Sequence, residues 1–348
     1  MFKSCLNYHY HQLNEVEKRA YQKLFRAYRN MEPETYIEGI FHIDRVLKVI
    51  KCVYDDNPEF FFVENTKIQY RHRFGGIQVV HNYRYSKQKK AQYERLILWE
   101  TKEFLSKWIR PYMDTYGKLQ AINSYLAETV TYDQAVKQAL KEDTDEAVGS
   151  CEDYSIVGPL TKHMGVCHGV AMTAKYLCDV LGIQCLVVTG TVNGNEKHAW
   201  NIVYSGKKDR RFYHWDPTNH LDQKGKKELQ QGYFLVSDQI IQRNRNWDRN
   251  FYPACIWNDL DYFKNNRMVI YNKDEVESYV LEHLKREEFS VAFRYKEDEI
   301  PSKEILEVPV KQALNRYEKR FGFMKKKIKT ITWIIQAESG VVQLVFQT

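Results

Sequence analysis

Three residues stand out for what their neighbours prepare them to do: Cys167, His198 and Asp216. Cys167 lies in "MGVCHGVAMTAKYLCDVLG" (164–182), where Ala171, Ala174, Leu177, Cys178 and Leu181 recur at the spacing of a helix with one buried face. Gly182 is placed to close that helix. Cys167 therefore falls in the first turn, where backbone N–H groups lack intrahelical partners and the dipole end is positive. Such a setting favours a thiolate. The N–H of Cys167 is a natural donor to a developing oxyanion, and Gly165 and Gly169 let substrate and backbone approach closely.

Downstream, "CLVVTGTV" (185–192) is a buried-type strand, and "KHAWNIVYSGKKDRRFYHWDPT" (197–218) holds two aromatic and β-branched runs around a polar turn. A simple hairpin centred on Lys207 sets His198 opposite Asp216 and Trp200 opposite His214. Cβ atoms of such pairs lie about 4.5–5.5 Å apart, close enough for a carboxylate to hold an imidazole N–H. Pro217 ends the strand because it cannot continue the ladder. The trio then comprises a nucleophile (Cys167), a base (His198) and the group that orients the base (Asp216). Trp200 and Trp215 read as core residues, with Trp200 also a candidate wall of the acyl pocket. His168 points about 100° away around the helix and is a candidate pocket wall. His163, His214 and His220 read as packing or loop residues, and Cys178 and Cys185 as packing.

The elements that must carry these groups follow from the pattern on either side. "QLNEVEKRAYQKLFRAYRN" (12–30) is an amphipathic helix, and "HIDRVLKVIKCVYDD" is a second one, stopped at Asn57-Pro58 and followed by a strand. "TKIQYRHRFGGIQVVHNYRYS" alternates across Gly75-Gly76 as a hairpin does. Helices are expected at 91–110 and 117–130, then a polar, acidic stretch at 133–150. Beyond 268 the pattern runs strand ("RMVIYN"), helix ("DEVESYVLEHLKREEF"), strand ("SVAFRY"), helix (302–321) and a final hairpin turning at Glu338-Ser339-Gly340. The expected organisation is an N-terminal α+β domain (1–90), a catalytic core (91–265) and a C-terminal α+β domain (266–348).

A chain of 348 residues, 43% hydrophobic and 14% aromatic, has material for two or three cores. The net charge of +7 comes from 52 basic and 45 acidic residues, much of it in short runs such as "MKKKIK" that read as solvated faces. No nucleic-acid-binding motif accompanies them. The seven cysteines include no CxxC pair, which argues against a zinc site or a disulfide framework and for reduced thiols in a cytoplasm. There is no apolar signal core and no run of 18 apolar residues, so a soluble, cytoplasmic protein is expected.

The blocks "GVCHGVA", "HAWN" and "WDPT", in that order, resemble the nucleophile, histidine and aspartate motifs of the transglutaminase-like superfamily, in its bacterial type, within the papain-like cysteine enzymes. The resemblance spans roughly 118–240 and includes "SIVGPL" and "YLCDVLGIQC". It implies an α+β fold in which the helix bearing the cysteine packs on an antiparallel sheet, and a triad of Cys167, His198 and Asp216. It further implies acyl transfer through a thioester on Cys167, with no cofactor and no metal. Val157 stands where many relatives carry an aromatic, so the second oxyanion donor is left unidentified. The expected activity is cysteine-type peptide or amide hydrolysis. The alternatives are protein-glutamine transamidation, deamidation, or a non-catalytic binding scaffold on the same fold. The expected partner is a peptide or protein substrate, with neither nucleic acid nor membrane; the oligomeric state is not readable.

Overall fold

The computed structural model describes residues 7–141, 152–206, 211–221, 224–296, 303–321 and 327–348. Helix α1 (Glu15–Asn30) starts where Asn14 and Glu17 cap one another: the Asn14 side chain accepts from the Glu17 N–H at 3.0 Å, and Glu17 accepts from the Asn14 N–H at 3.1 Å. A short strand, β1 (Glu34–Glu38), comes next, then α2 (Ile43–Asp56), which ends at Asn57-Pro58. A single 3₁₀ turn intervenes before β2 (Val63–Arg73), which turns back through β3 (Gly76–Tyr83). The three strands form an antiparallel sheet in the order β1-β3-β2.

Helices α3 (Lys87–Trp108) and α4 (Thr115–Thr129) lead to the two-residue strand β4 (Thr131–Tyr132) and helix α5 (Gln134–Lys141). β4 pairs in parallel with β5 (Met164–Gly165), immediately before α6 (Cys167–Val180). α6 closes as the sequence predicts. Gly182 takes φ +74°, and the Ile183 N–H reaches back to the Cys178 carbonyl at 2.8 Å, satisfying one of the carbonyls of the last turn.

The sheet beneath α6 contains β6 (Cys185–Val192), β7 (Glu196–Tyr204), β8 (Phe212–Trp215) and β9 (Arg245–Trp247), antiparallel in the order β8-β7-β6-β9. Odd-numbered residues such as Val187, Ala199, Val203 and Trp215 face α6 and its core. Even-numbered ones such as Val188, Trp200 and Ile202 face a second cluster with Tyr233, Val236 and Trp247. The β7–β8 register differs from the expected one. Ile202 lies opposite His214 and Asn201 opposite Trp215, two positions from a hairpin centred on Lys207, which lies outside the described residues. The longer connection shifts the strands by two. A shift of two keeps every side chain on its own face, so His198 and Asp216 still share one and meet on a diagonal.

The remaining strands β10 (Val269–Ile270), β11 (Ser290–Tyr295), β12 (Thr330–Gln336) and β13 (Val341–Gln347) form a sheet in the order β10-β11-β13-β12. Helices α7 (Asp274–Lys285) and α8 (Lys303–Phe321) complete this part, which has its own core around Val280, Phe293, Val310 and Leu344. The apolar core under α1 and α2, by contrast, is continuous with that under α6. Mixed helices and antiparallel sheets make this an α+β fold. No helix among the described residues is long and apolar enough to cross a membrane.

Candidate active site

Cys167 is the first residue of α6, and no side chain caps the helix there. The segment before it lies tightly against the helix start. A Cβ on Gly169 would meet the Asp153 carbonyl oxygen at 2.1 Å, and one on Gly165 would meet the Pro159 ring at 2.7 Å. Both glycines are buried, and what they admit is the protein's own chain at 153–159.

His198, near the start of β7, connects the other two groups. Its Nε2 donates to Asp216 Oδ2 at 2.8 Å, and its ring lies in hydrogen-bonding reach of the Cys167 thiol, which also faces the Ala199 backbone N–H. With Nε2 on the carboxylate, Nδ1 is the nitrogen left for the sulfur. Burial by itself pushes the Cys167 thiol up, but the hydrogen bond and charge of His198 outweigh it and hold the thiol below its ordinary value. Burial likewise opposes charge on His198, yet Asp216 and then Cys167 lift it to about 9. Both shifts run toward a thiolate facing an imidazolium.

Asp216 ends the ladder and caps the 3₁₀ turn Pro217–His220, its Oδ1 accepting from the Thr218 N–H at 3.1 Å. Burial would raise its carboxyl, but the Arg245 guanidinium and His198 hold it well below the usual carboxylate range. Arg245, on β9, donates to Oδ2 through Nε at 2.9 Å and Nη2 at 2.5 Å. Sequence reading missed it. "RNRNWDRN" shows one arginine among several, and a three-residue strand carries too little periodicity to place its side chain. Tyr132 on β4 was also missed. Its hydroxyl lies in hydrogen-bonding reach of both the Cys167 sulfur and the Cys167 backbone N–H, so that N–H has a partner rather than standing free. Val157 is buried and nonpolar.

Trp200 is fully buried and stacks behind His198, ring centroids 5.9 Å apart and 22° from parallel. At no exposure it offers no surface to a ligand. Its Nε1–H donates to His214 Nδ1 at 3.0 Å, and His214 Nε2 donates to Asp238 at 2.8 Å. His214, Asp238 and Cys255 place possible ligand atoms within 4.8 Å of one another. Binding a metal through Nε2 would move the ring proton to Nδ1, head-on against the Trp200 N–H, so the trio fits a support for Trp200 and not a metal site. His220 is a neutral packing residue, pushed down to about 3 by burial, donating to Asn123 and accepting from the Tyr233 N–H. Trp215 is buried and donates to the same Asn123 oxygen at 2.8 Å. His163 is an exposed loop residue, and Cys178 and Cys185 are buried free thiols. His168 bonds the Tyr154 carbonyl at 2.8 Å, stacks on Tyr54 and lines a cavity of about 550 Å³ with Lys51, Tyr70 and Thr189.

Residues 102–217 match the model of the transglutaminase-like superfamily. Among solved structures, one described as the crystal structure of a TGase is 17% identical, with a TM-score of 0.32. The similar region covers 45% of this chain and 45% of that one, so less than half of that protein's length is spanned. A search of curated proteins finds no match.

Proposed function

With residues 102–217 forming a transglutaminase-like domain, the fold of thiol-dependent acyl transfer, we propose that this chain is a cysteine-type amide or peptide hydrolase using Cys167, His198 and Asp216. The observation that carries this reading is the double engagement of the His198 ring, with Asp216 on one nitrogen at 2.8 Å and the Cys167 thiol on the other. The Cys167 thiolate attacks the amide carbon, and the carbonyl electrons move onto oxygen. His198 then gives its Nδ1 proton to the departing amine as the carbonyl re-forms, leaving a thioester on Cys167. Water, giving its proton to the now neutral His198, attacks that thioester and releases the acid and the thiolate.

The oxyanion forms beside the sulfur, within reach of the Cys167 N–H and the Tyr132 hydroxyl. Tyr132 is thus the second donor, swinging its O–H from sulfur to oxygen as the charge moves. Asp216 keeps the imidazole upright, and Trp200 walls off its back face. Hydrolysis is favoured over cross-linking by access: Cys167 is half-buried and the His198 side chain is 12% exposed, an opening better suited to water than to a lysine arm from a second protein.

The test is stepped-pH alkylation with iodoacetamide, followed by mapping of the labelled cysteine. Selective reaction at Cys167 near pH 6, lost in His198→Ala, is expected; reaction no faster than at the other cysteines would refute an enzyme. Release of ammonia or free amine from a peptide panel without incorporation of a labelled primary amine supports hydrolysis. Amine incorporation into a glutamine-rich protein would refute hydrolysis in favour of transfer.

A further inference from the structure

We propose that Arg245 is a positioning residue of this site, fixing Asp216 and balancing its charge so that Cys167 and His198 rest as thiolate and imidazolium. The inference rests on the reading of Cys167 as the nucleophile. Its ground is the crowding on one oxygen. Asp216 Oδ2 accepts from His198 Nε2 at 2.8 Å and from Arg245 Nε and Nη2 at 2.9 and 2.5 Å, while Oδ1 takes the Thr218 N–H at 3.1 Å. A carboxylate loaded in this way has one orientation.

Arg245 is itself built into place. Its Nη1 donates to Asn244 Oδ1 at 2.6 Å, its guanidinium carbon sits 3.9 Å from the centre of the Tyr233 ring, and the Tyr233 hydroxyl donates to the same Asn244 oxygen at 3.1 Å. Arg245 and Asp216 are both buried. An arginine used only for solubility would not be clamped on three sides.

The charge count gives this clamp a consequence. Thiolate, imidazolium and carboxylate together leave one uncompensated negative charge under cover, and a buried lone charge is normally lost by a shift of protons. Arg245 brings the sum to zero. Among the described residues, the other titratable groups facing the site do not supply a cation. His220, on the turn after Asp216, is neutral with both ring nitrogens engaged; Tyr233 and Tyr132 are phenols held protonated by burial; Glu196, at the head of β7, is acidic. Because Arg245 shares the oxygen that accepts from His198 Nε2, it also moderates how strongly Asp216 favours the imidazolium form, which must give up its Nδ1 proton to the amine.

The experiment reads the rate of Cys167 alkylation by iodoacetamide against pH in the full chain, comparing the wild type with Arg245→Met, Arg245→Gln and Arg245→Lys, each with its melting temperature. In the neutral variants the acid limb should move up by about one pH unit or more, while the lysine variant keeps it near the wild-type position. A purely structural arginine would lower the melting temperature and leave the limb where it was. A folded neutral variant with an unmoved limb overturns the proposal, and so does a lysine variant shifted as far as the neutral ones. Should neither neutral variant fold, the lysine variant decides against the wild type: a limb kept near the wild-type position supports the proposal, and one raised by about one pH unit or more overturns it. A wild-type Cys167 without an acid-shifted limb is a different failure, since it removes the nucleophile reading itself.

Discussion

Replacing Gly169 by alanine adds one methyl group at the point where α6 and the 153–155 backbone touch. The new Cβ would stand 2.1 Å from the Asp153 oxygen, 2.9 Å from its carbon and 3.0 Å from the Ser155 oxygen, so the contact must open by more than an ångström. The neighbour cannot simply retreat, because that same Asp153 oxygen accepts the Val166 N–H at 3.1 Å, immediately before the nucleophile. Overpacking of this kind costs about 1–3 kcal/mol, and loss of the Val166 bond adds roughly 0.5–1.5 kcal/mol. Alanine's better helix propensity returns about 1 kcal/mol. The net expectation is about 0.5–3.5 kcal/mol of lost stability, read as a fall in the urea midpoint followed by tryptophan fluorescence. The helix start moves with the sulfur on it, and misplacements of about 1 Å can cost on the order of 100-fold in a positioned reaction. Selective alkylation of Cys167 should therefore slow as well. A Gly169→Ala protein as stable as the wild type, with Cys167 equally reactive, would show that close approach is not what requires glycine here.

Two further outcomes follow from groups described above. Tyr132→Phe should slow amide turnover by about 10²–10³-fold and Cys167 alkylation much less, since the hydroxyl that rests near the sulfur is needed chiefly on the oxyanion; equal loss of both would place Tyr132 in thiol activation instead. His9 is fully buried with neither ring nitrogen partnered among the described residues, and burial holds it at about 4, against an ordinary 6.5. The unfolded chain therefore binds a proton that the folded one refuses below pH 6.5, and stability falls as pH drops toward 4. The share of His9 is about 1.4 kcal/mol per pH unit in that window. His9→Phe, which keeps the ring against Phe251, should lose less stability by that amount when unfolding is measured across pH 6.5 to 4. Identical slopes would refute it.

What the sequence disclosed depended on how many residues each feature used to announce itself. Helix α6, its closure at Gly182 and strands β6 and β11 are written in long periodic runs and lie where the pattern puts them. Strand β1 contributes a single buried position in five residues, too few for alternation to register, and "RMVIYN" shrinks to the two-residue β10. The hairpin arithmetic recovered the shared face of His198 and Asp216 while missing the register, since parity survives a shift of two and opposition does not. Arg245 and Tyr132 were invisible for a different reason. Each is 29 or more residues from the group it serves and sits on a strand of two or three residues, so only the folded chain brings it to the site. The role of Trp200 was half legible. Its aromatic bulk marked it as core, but its place behind His198 depends on the His214 ring holding its N–H.

The core that runs without a break from α1 and α2 to α6 also sets an order of assembly. During synthesis the N-terminal helices emerge first and wait with the apolar faces that meet α6 and β6 uncovered until those elements follow. The nucleophile is thus laid onto a template already made. The carboxylate gains its second cation only when residue 245 has been added, so the electrostatics of the site close last. Residues 270–346, with a separate core, can then fold on their own schedule behind a finished site.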